Sequence, residues 1–180
     1  MINPLRLALV LGLCFLYSTT FACKCAGEGT VKASVDAASV VFTGKVLKIE
    51  FETLAETINP DSLQLARSLP HEGTKNYLDI PMVLKATLLV TTEFKGLTKG
   101  DTVIVYTGIR GATCGFKFEA GKEYTVYATT DNYMYTFFRL DRQRFKGFTR
   151  NGIYWTSVCS RTTATVGQEQ ALLGEHLNKK

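Results

Sequence analysis

The sequence predicts an all-β domain with minor helices, a barrel or sandwich of short strands held together by disulfides. Three observations predict it. Six short stretches of strand character are separated by turn-forming residues. The chain opens with the layout of an export signal, which places the remainder in a compartment where disulfides persist. Four of the five cysteines lie beyond that signal, an even number.

The opening residues, MINPLRLALVLGLCFLYSTTFA, carry the cation Arg6, an apolar stretch from Leu7 to Tyr17, and small or polar residues up to Thr20-Phe21-Ala22. The apolar run falls short of the roughly 20 residues that cross a bilayer, and no later segment approaches that length, so no transmembrane segment is expected. Small side chains at Thr20 and Ala22 predict cleavage after Ala22. Residues 1–22 are then a signal peptide, and 23–180 form one domain that is secreted, extracellular or periplasmic. Arg6 leaves with the signal, so the net charge of +5 falls by one. Charge so mild and dispersed names no partner.

Cys14 also leaves, and Cys23, Cys25, Cys114 and Cys159 remain. One intervening residue makes a Cys23–Cys25 ring strained, so each of these two is expected to reach Cys114 or Cys159. Loops of that size restrict the unfolded chain by about 4–5 kcal/mol per bridge in the entropic model.

Small and apolar residues at near-helical spacing over Val31 to Ala38 predict a short helical turn. Ala38 to Phe51 alternates from Phe42 onward and is rich in β-branched types, which predicts the first strand. From Thr53 to Lys75 the composition shifts through Asn59-Pro60-Asp61, three leucines, Pro70 and Gly73, predicting a long loop with one short helix. Strands are expected over Val83 to Phe94 and Thr102 to Tyr106. Glycines at 108, 111 and 115 mark a turn-rich stretch around Cys114. Further strands are expected over Glu123 to Thr129, Met134 to Leu140 and Gly152 to Cys159. The tail, about 166–177, places Leu172, Leu173 and Leu177 at helical spacing and predicts a closing helix.

Nothing in the sequence has the form of an enzyme. His71 and His176 lie in no HExxH pattern, and no G-x-S-x-G turn, P-loop or G-x-G-x-x-G run occurs. No catalytic residue, cofactor or metal site of the chain's own is expected. Tyr133 to Arg150 interleaves six aromatics with five cations, as single-strand nucleic-acid binders can. A two-stranded ribbon with one core face and one solvated face gives the same interleaving, and in an exported protein that is the better reading, so no nucleic-acid partner is expected. Cys23-x-Cys25 as a pair of metal thiolates is set aside in favour of disulfides.

Several short motifs recur in a familiar order. They are Cys23-Lys24-Cys25 at the expected mature start, Val40-Val41-Phe42-Thr43-Gly44-Lys45-Val46, and Phe94-Lys95-Gly96. After them come Ala112-Thr113-Cys114-Gly115, Gly121-Lys122-Glu123-Tyr124, and Thr156-Ser157-Val158-Cys159. In this the chain resembles the inhibitory N-terminal, netrin-like domain of the tissue inhibitors of metalloproteinases, as a single-domain relative. The resemblance implies an OB-type five-stranded β-barrel with a C-terminal helix and two disulfides, Cys23–Cys114 and Cys25–Cys159. It implies a secreted, monomeric inhibitor whose partner in trans is a zinc metalloendopeptidase. The free α-amine and carbonyl oxygen of Cys23 would chelate the protease zinc in a five-membered ring, displacing the water at its open position. A free α-amine titrates at about 7.7–8.0, so its proton is lost to the metal at modest cost near neutrality. Lys24 would enter the primary specificity pocket, Cys25, Ala26 and Gly27 would lie along the cleft, and Ala112, Thr113 and Cys114 would form a neighbouring contact ridge. The loop from Thr53 to Lys75 stands in the place of the family's variable loop, which can add protease contacts.

The chain departs from the family at Lys24, where Ser or Thr is usual, and in lacking a third N-terminal disulfide and a C-terminal domain. A second reading therefore accompanies the first: a non-inhibitory extracytoplasmic netrin-like binding module. In one form of it Cys23 is a lipid anchor, since Ala22-Cys23 ends a lipobox, with Thr20 where Leu is typical.

Overall fold

A computed structural model describes residues 23, 25, 29–68, 77–109, 113–134 and 152–177. The expected signal peptide, Lys24, Ala26, Gly27, Ala112, His71 and nearly all of the aromatic and cationic stretch from Tyr133 to Arg150 lie outside them.

The described elements are α1 (Val31–Ala37), β1 (Val40–Thr53), α2 (Leu54–Thr57), α3 (Pro60–Ser68), β2 (Pro81–Lys95), β3 (Thr102–Gly108), β4 (Glu123–Ala128), β5 (Ile153–Trp155) and α4 (Val166–Leu177). The protein is mostly β, with one five-stranded sheet in the order β4-β1-β2-β3-β5. β1, β2 and β3 form an antiparallel meander, β4 returns antiparallel to the first half of β1, and β5 runs parallel to β3. Thr129, just past β4, exchanges both backbone hydrogen bonds with Trp155, the last residue of β5, at 2.9 and 2.7 Å. The outer strands thus meet at one end, and the sheet curls.

One face of the sheet gathers Val40, Phe42, Leu88, Val90, Val105 and Val126 into an interior cluster. The other face is covered by helices. At the β1–β4 end, Val41 and Tyr127 pack against Val35 of α1 and Leu173 of α4. At the β3–β5 end, Tyr106 and Trp155 stack with ring centroids 5.4 Å apart, in a cluster with Leu54, Ile58 and Ala66. The continuous run Val40-Val41-Phe42 is thereby explained: this half of β1 is buried on both faces, and only beyond Gly44 does exposure begin. Gly44 sits at a register shift against β2, and a Cβ there would come within 2.8 Å of the Phe42 ring.

The closing helix spans Val166–Leu177, as predicted. The helical turn after Thr30 ends at Ala37, started by the Thr30 hydroxyl accepting from the Ala33 N–H at 3.2 Å. Its C-terminal end is covered by Lys95, whose Nζ donates to the carbonyls of Val35 and Ala38 at 2.8 and 2.5 Å.

Two expectations change. The stretch after Thr53 holds two short helices and not one: Thr53 and Glu56 form a capping box at α2, and Asn59 caps α3 ahead of Pro60 at its first position. The strand expected over Gly152 to Cys159 is only Ile153–Trp155, because the chain then turns at Ser157–Ser160, where the Ser160 N–H donates to the Ser157 carbonyl at 3.1 Å. Of the strand expected over Met134 to Leu140, only Met134 is described, and with Tyr133 it forms a single 3₁₀ turn. The described residues contain five strands, and the sixth expected strand lies outside them but for Met134.

Candidate functional site

The parallel pairing of β3 with β5 sets the site. In register Tyr106 faces Trp155, so the segments that follow both strands leave the sheet at the same edge. Cys114 lies in the first segment and Cys159 in the second. Their backbones touch: the Val158 N–H donates to the Cys114 carbonyl at 3.0 Å. Onto these neighbouring points the chain ties its N-terminal cysteines. Cys23 bonds Cys114, with Cα atoms 5.6 Å apart, and Cys25 bonds Cys159, with Cα atoms 5.1 Å apart. These are the pairings the resemblance implies. Cys23 is partly buried and Cys25 exposed.

Each anchor is itself held rigidly. Cys114 has φ of +53°, the left-handed region, a conformation that costs of order 1–3 kcal/mol in a non-glycine residue and persists only where its surroundings impose it. Gly115 is part of those surroundings, for its Cα lies against the Gly108 backbone and a Cβ would collide with the Gly108 carbonyl. Thr113 donates its hydroxyl to the Ile109 carbonyl and is buried. Its side chain therefore braces the turn. On the Cys159 side, Ser157 and Ser160 close a tight turn, with the Ser160 hydroxyl accepting from the Ser157 N–H at 3.0 Å and the Ser157 hydroxyl accepting from the Cys159 N–H at 3.1 Å. Thr156, buried, donates its hydroxyl to the Tyr127 carbonyl at 2.9 Å and fixes this turn to β4.

No protein-family model and no curated protein matches this chain.

Of the residues expected at the site, Cys23, Cys25, Thr113 and Cys114 are described, and they converge on one edge of the sheet. Three contributors were not anticipated. Arg161 donates to Glu169 through Nε at 2.5 Å and Nη2 at 3.1 Å, and through Nη1 to the Gly29 carbonyl at 2.6 Å. Tyr127 donates its hydroxyl to the same Glu169 at 2.7 Å. Burial and the adjacent Glu169 carboxylate push the Tyr127 phenol well above its ordinary range, while the Glu169 hydrogen bond holds the Arg161 guanidinium more firmly protonated. The sequence held one signal of this group: Glu169 is four residues before the buried Leu173, hence on the inward face of α4. Beside these residues a cavity of about 380 Å³ opens between α1 and the Cys159 turn, lined by Ala33, Ala37, Tyr127, Val158 and Arg161 among others.

Among the described residues no cluster of three or more His, Cys, Asp or Glu could hold a metal, and no helix is long and apolar enough to cross a membrane. What the arrangement offers is placement: Cys23 and Cys25 are covalently fixed to a stiff, doubly braced edge.

Proposed function

We propose that this protein is a secreted inhibitor of zinc metalloendopeptidases, built on an OB-type netrin-like barrel, that chelates the protease zinc through the free α-amine and carbonyl oxygen of Cys23. The observation that carries the reading is the pair of disulfides that pins Cys23 and Cys25 to adjacent points on one edge. A chelating terminus has to be held still, because the freedom it would otherwise lose on binding weakens the complex. The strand order supports the fold assignment: a meander, a parallel β3–β5 pair and β4 returning to β1, with the Thr129–Trp155 bridge joining the outer strands, agrees with a closed five-stranded barrel. The disulfides suit an oxidising compartment, in keeping with export and cleavage after Ala22.

Lys24 keeps the second reading, a non-inhibitory netrin-like binding module, in play. An ammonium entering an apolar pocket without a partner is costly, and acylation of Cys23 would remove the chelating amine altogether. The experiment compares exported protein beginning at Cys23 with a version bearing one extra N-terminal alanine, against a panel of zinc metalloproteases. Inhibition by the first and loss of it in the second is expected. Equal inhibition by both would overturn chelation, and an intact mass showing an acylated Cys23 would leave the binding-module reading.

A further inference from the structure

We propose that Arg161 and Glu169 are a positioning pair for the protease-contacting N-terminal segment, holding Gly29, four residues after Cys25, against the chain that follows β5. The inference rests on the inhibitory reading above. Cys25 is tied to the turn after β5 by its disulfide, and Gly29, four residues on, is tied to the same turn by the Arg161 guanidinium. The two described residues of this segment, Cys25 and Gly29, are thus each tied to the chain that follows β5.

The chemistry of the clamp argues for placement over simple stabilisation. Glu169 is only 5% exposed and accepts from Tyr127 on β4, so its carboxylate belongs to the rigid body of the sheet and α4. Arg161 presents Nε and Nη2 to that carboxylate and still has Nη1 directed at Gly29. A planar fork can serve both partners at once, and a lysine ammonium, a compact point charge, cannot reproduce the geometry. A buried ion pair is in itself weak evidence of stabilisation, since desolvation offsets much of the attraction. The contact left over, charged donor to a backbone carbonyl of the N-terminal segment, is the one that does something an apolar pair could not.

The test uses the exported protein and its Arg161→Gln, Arg161→Lys and Val90→Ala variants. Val90 is buried in the interior cluster away from the clamp, so its truncation lowers stability without touching Gly29. Each protein is measured for inhibition constant against the protease panel, for urea unfolding, and for amide hydrogen exchange in the peptide covering 23–30. Both Arg161 variants are expected to weaken inhibition by about tenfold and to speed exchange in that peptide. Val90→Ala should lose stability and leave both readouts within about twofold. Inhibition that merely tracks stability across the variants, or unchanged exchange at 23–30 in Arg161→Gln, overturns the proposal. If the parent protein inhibits no protease, the inhibitory reading falls, and the exchange data alone judge the clamp: acceleration confined to 23–30 sustains it, and none overturns it.

Discussion

At Gly115 a single hydrogen atom does what no side chain could. Its Cα lies against the Gly108 backbone, which cannot swing away as a flexible side chain would, so a methyl group there forces the turn apart and displaces Cys114. Gly115→Ala is expected to cost about 3 kcal/mol or more, read as a lower urea midpoint and reduced yield of oxidised protein. The sequence marked this glycine as part of a turn-rich stretch and as the last residue of Ala112-Thr113-Cys114-Gly115, without revealing why glycine is required. Thr113 illustrates the opposite limit. The resemblance alone makes it a contact candidate, yet its hydroxyl is consumed by the Ile109 carbonyl, a partner four residues away that only the folded turn identifies. On the inhibitory reading proposed above, Lys24 would govern the choice of target protease. If that reading holds, Lys24→Thr should tighten inhibition of proteases with apolar pockets by about tenfold or more, since an ammonium would no longer have to enter the pocket. Unchanged or weaker inhibition across a panel would show that the side chain does not enter the pocket.

Among the elements, those with local signals were the legible ones. α1, β2, β3, β4 and α4 were found within about two residues of their expected ends, because periodicity and turn residues decide them. The two helices after β1 were also written locally, in Thr53…Glu56 and Asn59-Pro60, but were merged into one because their apolar residues share a long, loop-like composition. β5 was overestimated for a different reason: Thr156 has strand chemistry, but its hydroxyl is taken by Tyr127, a partner 29 residues earlier. The packing of α4 on β4 leads to a pH test. Tyr127 is held protonated in the folded protein, whereas the unfolded chain releases that proton near its ordinary value of 10.0. A raised pKa means the folded state is fully favoured below that value and loses stability as pH rises through and beyond it. Urea midpoints are therefore expected to fall above about pH 10, and Tyr127→Phe should flatten that fall relative to the parent protein. Equal slopes would show that this phenol does not carry the effect.

For the molecule as a whole, the class of fold was legible and its closure was not. Strand number, cysteine parity and the terminal helix pointed to a disulfide-held β domain. The parallel β3–β5 neighbours and the Thr129–Trp155 bridge depend on pairings distant in sequence, for which single-strand patterns carry no record. That arrangement also makes the Cys25–Cys159 bridge mechanically central. Cys25→Ser/Cys159→Ser is expected to lower stability by about 2–5 kcal/mol in urea unfolding, and to leave the N-terminal segment with one covalent tether, Cys23–Cys114. The same bridges bear on how the molecule comes into being. Cys23 and Cys25 are the first of the four cysteines to be synthesised, yet their partners lie 91 and 134 residues further along. During synthesis both thiols must wait until the segments after β3, and then β5, have followed. Any product cut short before Cys159 lacks the second tether, so the N-terminal segment is doubly fixed only in a molecule that has completed its whole sheet.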